Sequence, residues 1–175
     1  MIKPGDLFFT TSSSIVSWFI RQRTWGEFSH VQVIVNAPQP PLNLRGGEGE
    51  LDVISADGEG VTCRNVREGE LIYHAILTYP QMTDEERQNV VKFCFSQIGK
   101  PYDFVGLGSF LLYKELQNDD RWFCSELAYV AYKQAGIRLI RRVKQDFVSP
   151  RDLFISPLLK PVDVTQGFSP EKSQS

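Results

Sequence analysis

Residues 121–136 read RWFCSELAYVAYKQAG, and the place of one sulfur in them governs the reading of the whole chain. Leu127, Val130 and Ala131 recur at helical spacing and Gly136 closes the run, so the pattern predicts a helix over 125 to 135. Cys124 then stands at the helix entrance. Unpaired N–H groups and aligned peptide dipoles make that end a partial positive charge. With an imidazole nearby, such a setting lowers a thiol pKa from about 8.5 to roughly 3.5–7.5. The plain alternative is that Cys124 packs as a small hydrophobe, the common fate of a free cysteine.

The other two cysteines read as structural. Cys94 falls on the apolar stripe of a helix, and Cys63, in VTCRNV, reads as a half-buried strand residue. Three cysteines make an odd count with no CxxC pair, which argues against a disulfide framework and a structural zinc site. A metal site would need His30, Asp57 and Cys124 to converge. Nothing in their spacing suggests it, and no cofactor is expected.

A nucleophilic thiol wants a general base, and the chain has only two histidines. His74, in LIYHAIL, sits mid-strand among apolar neighbours and reads as a core or surface strand residue. His30 opens FSHVQVIVN, the best strand in the chain, where a side chain can face a cleft. Val31, Val33 and Val35 point one way from that strand and His30, Gln32 and Ile34 the other. A late cysteine on a helix and an early histidine on a strand can be neighbours in space.

With 175 residues, 42% hydrophobic and 23% charged, the chain is long enough for a real core in one domain, expected over 1–165. Residues 166–175 read as a disordered tail. A net charge of −2 gives no reason to expect nucleic acid or an anionic membrane as partner. The N-terminus lacks the apolar core of a signal peptide and FVGLGSFLLY is too short to span a bilayer, so a cytoplasmic protein is expected.

Along the chain, KPGDLFFTT reads as a turn and a strand. SSSIVSWFIRQRT reads as a short helix capped within Ser12 to Ser14, with Ile15, Trp18 and Phe19 inward. APQPPLNLRGGEGE is a loop; LDVISADGEGV and ELIYHAILTY are strands. MTDEERQNVVKFCFSQIG carries a Thr83–Glu86 capping box, a buried stripe of Val90, Val91, Cys94, Phe95 and Ile98, and Gly99 as a helix stop. The order gives an α+β fold with a small, mostly antiparallel sheet packed on helices.

Five blocks in this order, TWGEFSHVQVIV, VISADGEGV, IGKPYDF, WFCSELAYVAY and FVSPRDLFISPLL, resemble the circularly permuted NlpC-type papain-fold proteins of the YiiX and YebB kind, over most of residues 4 to 162. These are related to lecithin-retinol acyltransferase-like proteins. In papain-like enzymes the cysteine precedes the histidine along the chain, whereas here His30 comes first, as the permuted family has it. The resemblance implies a papain-like core with Cys124 as nucleophile, His30 as base, and Tyr102 of GKPY lining the site. It also implies an oxyanion hole of backbone N–H groups at the start of the Cys124 helix.

One position departs from the pattern. Relatives carry an orienting glutamate where this chain has Ser55, which can accept an imidazole N–H but adds no charge, so Asp57 is an alternative. The implied activity is a cysteine hydrolase acting on a peptide or amide through an acyl-enzyme. An acyltransferase or lipid-ester hydrolase acting on an acyl-lipid stands as an alternative. Trp18, Trp25, Phe104 and GLGSFLL are apolar residues that could line its groove. The serine departure keeps open a binding module that has lost turnover.

Overall fold

The structure, a computed structural model, describes residues 1–11, 15–36, 51–66, 73–102, 122–141 and 148–164. Six strands form one antiparallel sheet: β1 (Leu7–Thr11), β2 (His30–Asn36), β3 (Leu51–Asp57), β4 (Gly60–Val66), β5 (Tyr73–Thr78) and β6 (Lys160–Val164), in the order β4-β3-β2-β1-β5-β6. Among the described residues, four helices accompany it: α1 (Ile15–Thr24), α2 (Asp84–Ser96), α3 (Cys124–Gln134) and α4 (Pro150–Phe154). No described helix is long and apolar enough to cross a membrane.

The pleat sorts the side chains into two clusters. Leu7, Phe9, Val31, Val33, Ile54 and Ala56 join the large core with Val90 and Cys94 of α2 and Leu127, Ala128 and Ala131 of α3. Phe8, Ile34, Leu51, Val53 and Ile76 build a smaller cluster from the alternate residues. The alternation expected along β2 is therefore observed, with Val31 and Val33 on the helix-covered face and Ile34 on the other.

α2 begins as its sequence predicts, with Thr83 and Glu86 closing a capping box, while its inward face differs. Arg87, Val90 and Cys94 are buried, whereas Phe95 and Ile98 are 49% and 45% exposed and Val91 is half-buried. Two apolar stripes lie side by side on this helix, and an ion pair decides which turns inward. Arg87 donates to Asp6, itself fully buried, at 2.8 Å, to the Pro4 carbonyl at 2.9 Å and to the Thr78 hydroxyl at 3.0 Å. The Thr78 hydroxyl in turn donates to Asp6 at 2.6 Å. A helix rolled to bury Phe95 would pull that guanidinium from its partners. Gly99 is not the cap itself; Gln97 is, with Gly99 two residues on in the left-handed region.

Trp18 of α1 is 50% exposed rather than inward, and Trp25 is 86% exposed. The Ser12 to Ser14 cap and the side chains of Ile15 and Phe19 lie outside the described residues, as do the Pro-rich loop and the tail. Cys63 lies on a strand, β4, but is exposed rather than half-buried. Strand β6 and helix α4 were not expected from the sequence. α4 is nucleated by a second capping box, Ser149 with Asp152, and by Pro150 in its first turn.

The β3–β4 turn fastens onto the segment after α2. The Val61 N–H donates to the Lys100 carbonyl at 2.8 Å and the Gly99 N–H to the Val61 carbonyl at 3.0 Å. Gly60 permits this approach: its φ is +101°, and an added Cβ would lie 2.6 Å from the Lys100 oxygen. Gly60→Ala is expected to lose about 1–3 kcal/mol in urea denaturation through backbone strain and this clash. Arg87→Met leaves Asp6 buried without its cation and is expected to lose about 3–5 kcal/mol in the same measurement.

Candidate active site

α3 starts one residue before the sequence pattern suggested, so Cys124 is its first residue rather than its threshold. Phe123 is extended (φ −92°, ψ 149°) and turns the chain into the helix without a side-chain cap. The strand leading in is held on both sides. The Trp122 N–H donates to the Pro101 carbonyl at 3.1 Å, and the Trp122 indole donates to the Gln97 side-chain carbonyl at 3.2 Å. Ser125 Oγ donates to the Val148 carbonyl at 2.6 Å, which pins the first turn. Tyr102 forms an isolated bridge with Trp122 and sets its ring 6.0 Å from that of Phe123. The GKPY segment thus lies against the residues that lead into the thiol.

Cys124 is 2% exposed. Backbone N–H groups of Val31, Ser125 and Cys124 itself and the Ser125 side chain favour a thiolate there. Burial opposes them and wins, pushing the thiol up to about 11. The expectation of a lowered thiol pKa is corrected. The helix N-terminus is present, but removing the sulfur from water outweighs a few backbone dipoles. Cys94 is fully buried and pushed up to about 12 by the same cause.

His30 opens β2 opposite Thr10, just after Ser29, whose N–H donates to the Thr10 carbonyl at 3.1 Å. Burial drives the imidazole down to about 4; the Asp57 carboxylate pulls it back up and the Arg64 guanidinium pushes it further down. The ring is half-buried as a whole, yet its Nε2 atom is inaccessible and has no hydrogen-bond partner. The Val31 N–H is among the groups that act on the thiol proton, which puts the sulfur near the peptide that joins His30 to Val31. Ring and sulfur are not hydrogen-bonded to each other through Nε2, and neither counts among the groups that shift the other's proton. By alternation His30 shares the pleat of Gln32 and Ile34, while Cys124 packs with Val31 and Val33.

Ser55 is 1% exposed, lies directly across from Thr62 on β4, and its Oγ has no partner. Asp57, the alternative orienter, accepts the Glu59 N–H at 3.1 Å and is paired with Arg64. It acts on His30 through charge, and Arg64 offsets much of that charge. His74 is buried on β5 with its ring 5.7 Å from Phe8, the strand role expected of it. Phe104 and the GLGSFLL segment lie outside the described residues. Among the described residues, no group of three or more His, Cys, Asp or Glu could hold a metal ion. Sequence reasoning missed the Val31 N–H and the Val148 carbonyl, because backbone groups carry no residue-type signal.

A histidine with a folded pKa of about 4 and an ordinary value of 6.5 binds fewer protons when folded across that window. Stability should therefore be fully present above about 6.5 and fall as the pH drops toward 4. Urea denaturation across this range should show a steeper loss for the wild type than for His30→Gln.

Residues 1–153 match a family described as permuted papain-like amidase enzymes, YaeF/YiiX, C92. No curated protein matched the chain. Among solved structures, the metalloprotein YiiX from Escherichia coli O157:H7 superposes with a TM-score of 0.69 at 21% identity, over 93% of this chain and 97% of that one.

Proposed function

The chain belongs to the permuted papain-like amidase family of the YaeF/YiiX kind, and from that premise we propose that it is a cysteine amidase acting on peptide or amide bonds, with Cys124 as nucleophile and His30 as base. The observation that carries this reading is the seat of Cys124. It is the first residue of α3, with backbone donors acting on its thiol, among them the N–H of the residue that follows His30. Tyr102 lies one side chain away, against Phe123.

At neutral pH both partners rest uncharged, the thiol protonated and the imidazole not. The reaction then starts from a neutral pair, and proton transfer accompanies attack. As sulfur bonds to the substrate carbonyl carbon, the thiol proton passes to the Nδ1 lone pair of His30. The oxyanion gathers N–H donors from the first turn of α3 and the Tyr102 hydroxyl. Collapse expels the amine, which takes the proton from the imidazolium and leaves a thioester. Water, deprotonated by His30, then releases the acid and the thiol.

A binding module without turnover is the second reading. The absent ring–sulfur hydrogen bond and the uncharged Ser55 favour it.

Iodoacetamide capture of Cys124 separates the two, followed by mass spectrometry in a Cys63→Ser background that removes the exposed thiol. Capture by the amidase should rise steadily from pH 6 to alkaline pH, with no acidic plateau, and His30→Ala should slow it. Hydrolysis of a panel of dipeptide amides should fall about 10²–10⁴-fold in His30→Ala and vanish in Cys124→Ala. Turnover that survives Cys124→Ala would sink the proposal, and capture indifferent to His30 together with no hydrolysis would favour the binding module.

A further inference from the structure

Three polar atoms next to one another in the sheet are buried without a hydrogen-bond partner: His30 Nε2, Ser55 Oγ and Thr62 Oγ1. Native proteins rarely leave such atoms unpaired. Strand register puts all three on one face. Ile34 pairs with Val53, and the alternate residues Gln32 and His30 on β2 and Ser55 on β3 share their face; Ser55 pairs directly with Thr62. Directly opposed residues have Cβ atoms about 4.5–5.5 Å apart, so two hydroxyls there are within hydrogen-bonding reach after a side-chain rotation. His30 lies diagonally from Ser55, a separation that ring side chains bridge.

We infer that Thr62 is a further positioning residue: its hydroxyl pairs with that of Ser55, and the two together hold His30 by its Nε2–H. This rests on the amidase reading above. In the arrangement, Nε2–H donates to Ser55 Oγ and the Ser55 hydroxyl donates to Thr62 Oγ1, which leaves the Nδ1 lone pair for the Cys124 proton. No proton leaves the ring through the hydroxyls, so the imidazolium formed in the reaction keeps its Nε2–H on Ser55 and returns the other proton to the leaving amine. The pair orients the ring without adding a charge. Asp57 acts on the ring through its charge, and its oxygens also take Arg64 and the Glu59 N–H.

The test reads the ring directly. Nitrogen-15 NMR of the full chain gives the tautomer of His30, assigned against His30→Gln, in the wild type, Thr62→Val, Thr62→Ser and Ser55→Ala. The wild type and Thr62→Ser should share one dominant Nε2–H tautomer, and Thr62→Val and Ser55→Ala should show a mixed one. Iodoacetamide capture of Cys124, in the Cys63→Ser background, should slow about fivefold in Thr62→Val, the rate equivalent of one neutral hydrogen bond, and recover in Thr62→Ser. If Thr62→Val fails to fold, Ser55→Ala against Thr62→Ser makes the same comparison. A wild-type tautomer in Thr62→Val or Ser55→Ala overturns the inference. A changed tautomer with capture indifferent to His30→Ala supports the pairing and overturns the amidase reading instead.

Discussion

The buried ion pair between Asp6 and Arg87 holds the architecture in register. Arg87 projects from α2, Asp6 from the turn before β1, and Thr78 from the end of β5, so one guanidinium ties three elements that are distant in sequence. The same turn receives α3, since the Tyr132 hydroxyl donates to the Gly5 carbonyl at 2.5 Å. With the far end of α3 pinned there and Ser125 pinned to Val148 at the near end, the first residue of the helix has one place to go. That place is against the Val31 N–H, and a buried charge pair on the other side of the core therefore helps set the position of the candidate nucleophile.

Burial shapes the chemistry more than charge does. The helix N-terminus and three backbone N–H groups favour a thiolate at Cys124, yet the thiol is pushed up to about 11. The imidazole is moved the opposite way, to about 4, although Asp57 is near. Both shifts favour the uncharged forms, as a water-poor pocket demands. A substrate would be entering a site whose resting state is neutral. Such a pocket suits the neutral Ser55 better than a carboxylate, whose charge the surroundings would have to solvate.

Much of the fold was legible because its signals are local. The β2 alternation, the Thr83–Glu86 box and the run from Leu127 to Gly136 each rest on a period or a cap within a few residues, and all appear in the structure. Where the reading erred, the deciding partner was remote. Phe95 and Ile98 looked as buried as Val90 because both stripes of α2 are apolar; Asp6, some eighty residues earlier, selected one of them. Trp18 looked like a core residue for the same reason, and no neighbour along the chain could show that it faces water.

By itself the sequence determined the cast: a cysteine at a helix start, a histidine opening a strand, a tyrosine in GKPY, and an α+β order around one antiparallel sheet. Those follow from residue types and short spacings. Only the tertiary structure decided the proton affinities, the pairing of Ser55 with Thr62, the engagement of Asp57 by Arg64, and the meeting of sulfur and sheet at the Val31 N–H. Each of these depends on what else crowds a group once the chain has closed. Exclusion of water is a property of the packed whole, and no stretch of residues carries it.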